Sequence, residues 1–260
     1  MSRNFTMDDV TVLHEDNSVL VVVKPQNIPS QADKSGDLDL LTLLKSYIKE
    51  KYNKPGNVYL GLVHRLDRPT GGVMVFAKNS KSAERLSKQI VEGEMTKQYL
   101  TTVVGCPKEK SATLVNYLKK NALTNNVYVA TFGDHDAKRA ELSYTVLETN
   151  GVVSLCKVQL GTGRSHQIRV QMSAIGCPVF GDVRYGGDSL AKGCNLALWA
   201  YRLEFNHPVS GKRMVFVAYP PVVKPWTSFD MSKYLENFSD SDDDDGVELY
   251  HNPTKSHTLD

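Results

Sequence analysis

The sequence predicts an α+β fold: a mixed, largely antiparallel central β-sheet flanked by helices and loops. Three observations carry this reading. Strand-like runs at residues 112–118, 127–132 and 140–147 follow one another across polar corners at Asn125-Asn126 and Gly133-Asp134-His135-Asp136. That spacing leaves no room for the crossover helix that a parallel pair needs. The chain also opens with two such runs, residues 10–15 and 18–24, about a corner at Asp16-Asn17, which is the pattern of a β-hairpin. Helical periodicity is confined to a few short stretches.

Taken in order, the opening hairpin is left at Lys24-Pro25, and Pro29 follows soon after; proline removes donors that a ladder would use. Residues 37–51 space Leu38, Leu40, Leu41, Leu44 and Ile48 close to helical periodicity, with lysines on the other side. Residues 57–63 and 73–77 read as strands around a polar turn. Asn79-Ser80 starts a helix whose buried stripe is Ala83, Leu86 and Ile90, and Gly93 stops it. Lys81, Arg85 and Lys88 point away from the stripe, as a solvated face or as contacts to a polyanionic backbone. Residues 96–105 alternate as a strand that puts Tyr99 on the face of Lys97 and Thr101. Residues 152–160 form another strand, after which Gly161-Thr162-Gly163-Arg164 turns into a helix with Ile168, Met172 and Ile175 on its buried side. His166 and Arg169 share a different face, where solvation is the default. Two last runs, residues 195–205 and 212–219, flank a turn at residues 207–211. One domain is expected over residues 1–235 and an acidic, disordered tail over residues 236–260.

Charge is unevenly distributed. The net charge is +2, but residues 236–260 hold eight acids against Lys255 alone. That makes the tail −7 and the remainder 2 − (−7) = +9, and a basic body suits a polyanion. Cys106, Cys156, Cys177 and Cys194 are scattered without a Cys-x-x-Cys pair, so reduced structural thiols are expected and a metal cluster is not. No apolar run reaches membrane-spanning length, and the first residues lack a signal-peptide core, which predicts a cytoplasmic protein.

The chemistry gathers in residues 63–78, Val-His-Arg-Leu-Asp-Arg-Pro-Thr-Gly-Gly-Val-Met-Val-Phe-Ala-Lys. Asp67 is the segment's one acid, and Arg65 and Arg68 flank it. A carboxylate there can serve as nucleophile, as general base or as stabiliser of charge on a sugar carbon; it can also simply cap a turn. The whole string resembles the catalytic motif of the RluA-type pseudouridine synthases, in the short form without an N-terminal S4 domain.

The resemblance implies the pseudouridine synthase catalytic fold, with Asp67 as the catalytic residue. It also covers Lys97-Gln98-Tyr99, whose tyrosine would stack on the target base, and Thr162-Gly-Arg-Ser-His-Gln-Ile-Arg-Val170, whose Arg169 matches the arginine that pairs with the aspartate. Arg65 would fill the vacated stack, and Asp182 and Tyr185 match a structural turn. Three departures stand out. Gly71 occupies a position where the family usually has serine, Gln171 replaces a histidine and is assigned no proton transfer, and Asn27 and Gln31 stand in an altered Lys-Pro loop.

The implied activity is isomerisation of a uridine in structured rRNA or tRNA, with Asp67 either attacking C1′ or removing a neighbouring proton. No cofactor or metal is called for, and no membrane or obligate protein partner is expected. An RNA-binding protein that has lost catalysis is the rival reading, drawn from the departures. A metal-dependent hydrolase is a further one, although no second acid lies near Asp67 in sequence.

Overall fold

Strand-forming residues and local caps build the architecture, which is described here from a computed structural model over residues 5–186, 193–234 and 248–252. It is α+β, with a large, mostly antiparallel sheet, and the chain divides into two compact units. The first comprises Met1–Thr96, Ala200–Pro221 and Glu236–Asp260; the second comprises Lys97–Trp199 and Val222–Leu235.

In the first unit, β1 (Thr11–Glu15) and β2 (Val19–Lys24) form the predicted hairpin. Asp16 closes it by accepting from the backbone of Ser18 at 2.6 Å and of Val19 at 2.7 Å. Strand β2 pairs antiparallel with β4 (Gly71–Ala77), in register from Val19↔Ala77 to Lys24↔Gly72. Every residue of both strands is buried, which explains their continuous apolar runs in place of alternation. A two-residue strand, β3 (Gly61–Leu62), pairs with the end of β4. On the far side of β4 lie β10 (Leu198–Asn206), β11 (Arg213–Ala218) and β12 (Glu248–Asn252), in that order. The β10–β11 pair is antiparallel and the β11–β12 pair parallel. The expected unstructured tail therefore contains a strand over these five residues; residues 235–247 and 253–260 lie outside the described residues.

Two helices flank this unit. Asp39 caps α1 (Leu40–Lys51), accepting from the Thr42 amide at 3.0 Å, and the helix buries Leu40, Leu44 and Ile48. Asn79 caps α2 (Ser80–Glu92) in the same way through Ser82, and Gly93 ends it at φ 76°, where glycine costs nothing. The buried face of α2 includes Gln89 beside Leu86. The Gln89 amide exchanges two hydrogen bonds with the Asn206 backbone, at 2.7 and 2.8 Å, which ties the helix to the end of β10. Arg85 is bound to the Pro208 carbonyl and is not merely solvated.

The second unit runs β5 (Thr96–Val104), β9 (Val153–Leu160), β8 (Lys138–Thr149), β6 (Ser111–Lys120) and β7 (Val127–Ala130) in spatial order, all antiparallel. Helix α3 (Gln167–Ala174) covers one face, and Val170 packs with Leu118, Val127 and Ala140. Ile168 and Met172 are buried as expected, but Ile175 is partly exposed and Gln167, Arg169 and Gln171 are buried as well. The amphipathic reading of α3 fails because its polar side chains find partners inside the unit. No helix among the described residues is long and apolar enough to cross a membrane.

Glu15, at the end of β1, is a hub of the first unit. Its carboxylate accepts from Lys51 at 2.7 Å, Lys78 at 2.8 Å, Tyr52 at 2.8 Å and Tyr47 at 3.0 Å. Burial alone would raise this acid, but the four donors outweigh it and hold its pKa at about 2, against an ordinary 4.5. A depressed carboxylate stabilises the fold above its unfolded pKa, and that contribution is lost as pH falls through the folded value. Glu15→Gln should cost roughly 3 kcal/mol at neutral pH. Urea unfolding at stepped pH should show the gap from wild type closing between pH 4.5 and 2; a gap independent of pH would contradict the assignment.

Candidate active site

Between β3 and β4 the chain makes the polar turn that carries Asp67. Two of its residues, Leu66 and Thr70, are buried; Asp67 is half-buried and Arg65 exposed. The turn is fastened from beneath by residues upstream. Ser30 Oγ donates to the Leu66 carbonyl at 2.8 Å and accepts from the Leu66 amide at 3.2 Å. The Asn27 amide donates to the Arg68 carbonyl at 2.8 Å, and Gln26 Nε2 donates to the Pro69 carbonyl at 3.0 Å. Thr70 closes the turn on Asp67, amide to carbonyl, at 3.0 Å.

Lys24 holds the centre of this arrangement. It is fully buried, and its ammonium donates to the carbonyls of Thr70 at 2.7 Å, Arg68 at 3.0 Å and Pro25 at 3.1 Å. Burial drives its pKa down to about 7, the Asp67 carboxylate opposes the fall, and Arg68 adds to it. The charge that Asp67 feels within its own unit therefore includes Lys24, to which the sequence assigned only the end of the opening hairpin. Its signal was a lysine closing a six-residue apolar strand just before proline. Arg68, which follows Asp67 in the chain, pairs with Asp37 and donates to Ser35 Oγ at 3.1 Å and the Asn27 carbonyl at 3.2 Å.

Backbone geometry adds a further constraint. Gly72 adopts φ 120°, and a Cβ there would sit 2.2 Å from the Ala200 carbonyl oxygen, so only glycine fits where the turn enters β4. Gly71, the departure from serine, is a buried β4 residue. The His64 ring accepts from the Val75 amide through Nε2 at 3.1 Å, which brings the approach to the turn against β4.

The other two predicted site residues belong to the second unit. Tyr99 sits on β5 opposite Val158 and is buried to 7% exposure. Alternation along the strand keeps it on the face of Lys97 and Thr101. Burial lowers the pKa of the Lys97 amine. Arg169 is not solvated. Its Nε and Nη2 each donate to Asp182 at 2.7 Å, a buried bidentate pair. Asp182 also accepts from the amides of Arg184 at 2.9 Å and Tyr185 at 3.1 Å, so the expected turn and the ion pair share one carboxylate. Burial would raise Asp182, but these donors outweigh it and keep its pKa low. The Arg169 guanidinium lies 5.1 Å from the centre of the Tyr185 ring, whose hydroxyl is 2.7 Å from His166 Nδ1. Gln171 ties α3 to β6 through Asn116 Oδ1 at 2.7 Å and the Leu114 carbonyl at 3.2 Å. Among the described residues no three His, Cys, Asp or Glu side chains gather as metal ligands.

Lys24→Met should leave the Arg68 and Thr70 carbonyls short of a donor and cost about 3 kcal/mol near neutral pH. The native lysine sheds its proton near pH 7 and an unfolded one near 10.5, so the wild type should gain stability with pH across that window while the variant does not. Denaturant unfolding from pH 7 to pH 10 checks both the size and the widening of the gap.

Residues 18–174 match the family model described as RNA pseudouridylate synthase. An uncharacterized RNA pseudouridine synthase of Aquifex aeolicus is 33% identical over 244 residues, covering 88% of this chain and 74% of the relative. The ribosomal large subunit pseudouridine synthase D of Zymomonas mobilis is 32% identical over 220 residues, covering 81% and 69%. The solved structure of human RNA pseudouridylate synthase domain containing 4 has the same fold, with a TM-score of 0.68 at 23% identity, covering 82% of this chain and 89% of that one. With more than half its length matched and its similarity to relatives extending over most of both chains, the protein belongs to the RluA-type RNA pseudouridine synthases, isomerases that convert uridine in RNA to pseudouridine.

Proposed function

We propose that the protein isomerises a specific uridine of a structured ribosomal or transfer RNA, with Asp67 as the essential group at the sugar of an extruded nucleotide. The observation that carries this reading is the Asp67 turn, a half-buried carboxylate on a backbone fastened by Lys24, Ser30 and Asn27. A reacting group so held needs little reorganisation when substrate arrives. The Zymomonas relative is named for the large ribosomal subunit, which makes large-subunit rRNA the first RNA to test.

The reaction breaks the N1–C1′ bond, turns the freed uracil and joins C5 to the same carbon; one hydrogen leaves C5 and N1 gains one. Atoms and electrons balance without an oxidant or reductant. An internal nucleotide must first leave its stack, at a cost of a few kcal/mol. Asp67 then attacks C1′ or removes a neighbouring proton. Tyr99 stacks on the base, since every base offers a π-face. Arg169, its fork aimed by Asp182, serves as a fixed cation for the reacting centre. Exposed Arg65 fills the vacated stack.

Asp67→Asn removes the reacting oxygen while keeping shape. Release of tritium from RNA labelled at uridine C5 should fall by about 10³-fold or more, with RNA affinity within about twofold of wild type. A variant that turns over at the wild-type rate would overturn the assignment.

A further inference from the structure

We propose that the face of β6, β7 and β8 that no described residue of the second unit covers docks a single-stranded segment of the RNA. This rests on the RNA-modifying reading above but concerns a different surface. One face of this sheet packs Leu118, Val127 and Ala140 against α3. The register fixes what the other face shows. Tyr117 stands opposite both Ala130 and Arg139, Lys119 opposite Tyr128, and Thr113 opposite Ser143.

Further along, that open face looks as a solvated sheet should. Thr113 and Ser143 pair their hydroxyls at 2.9 Å, Ser111 and Thr145 at 3.1 Å, and Gln98 and Gln159 their amides at 3.2 Å. At the β6–β7 end the composition changes. Phe132 is 79% exposed and Tyr128 45%. Tyr117 meets Phe132 edge to face, with ring centres 5.1 Å apart. Cations interleave with the rings: Lys119 beside Tyr128, Arg139 beside Tyr117.

Large exposed rings are costly to leave in water unless something covers them. Alternating aromatics and cations on an open strand surface suit bases that stack and phosphates that need neutralising. Of the nearby acids, Glu141 is paired with Arg139, and Asp134 and Asp136 lie in the turn beyond β7 and not on the strands. A second copy of the chain fits less well, because a two-fold contact would set Lys119 and its neighbours against their own copies.

The test is fluorescence anisotropy of a short labelled oligoadenylate on the full chain. Oligoadenylate contains no uridine, so its binding is independent of turnover, and a failure of the isomerase reading would show in tritium release instead. Phe132→Ala should weaken binding roughly tenfold and Phe132→Trp should restore it. Lys119→Gln should lower the slope of log affinity against log salt by about one. Tritium release at saturating RNA should stay unchanged in all three. Equal affinity of wild type and Phe132→Ala would overturn the proposal. So would a shift in sedimentation of the RNA-free protein on that substitution, which would reassign the face to self-association.

Discussion

The ammonium of Lys24, buried to zero exposure among three backbone carbonyls, is the contact on which the turn bearing Asp67 depends. Two of those carbonyls, of Arg68 and Thr70, lie one and three residues after Asp67 in the chain. Burying an ammonium opposes its charge, and the fall of its pKa to about 7 expresses that tension. The compensation is threefold hydrogen bonding together with the Asp67 carboxylate. A cation beneath and an anion on the turn thus stabilise each other, while β2 and β4 supply a rigid frame in direct register at Lys24↔Gly72.

The second unit applies the same logic to Arg169. A guanidinium buried on a short helix is costly alone, and Asp182 offsets the cost with a bidentate contact that also ends a turn. Tyr185 then links this pair to the sheet: its ring faces Arg169, and its hydroxyl meets His166 and accepts from the Val127 amide at 2.9 Å. One tyrosine thereby couples the helix start, the ion pair and the edge strand. In both units the groups assigned to chemistry sit on backbone held by buried polar bonds.

Much of this was legible in the sequence, for identifiable reasons. The opening hairpin, α1, α2 and the antiparallel run of the second unit follow from local signals such as Asp39, Asn79, Gly93 and alternating β-branched residues, and local signals survive folding. The motif around Asp67 was readable because its residues are contiguous. The anchoring role of Lys24, the Asp37 partner of Arg68 and the Arg169 partner of Asp182 were not legible, because they depend on residues 44, 31 and 13 positions away in the chain. Helix α3 misled for a related reason. Its polar residues look solvent-facing in periodicity, yet Gln167, Arg169 and Gln171 are paired inside the unit. The β12 strand was masked by an acidic neighbourhood whose composition reads as disorder.

Amide hydrogen exchange on the native, RNA-free protein tests most directly whether the Asp67 turn is pre-built. The Asn27 and Thr70 amides, which bond to the Arg68 and Asp67 carbonyls, should exchange as slowly as amides in the middle of β4, opening only with the unit as a whole. Exchange at the rate of an unprotected peptide would show that the turn forms only when substrate arrives, and would contradict an anchor set by Lys24.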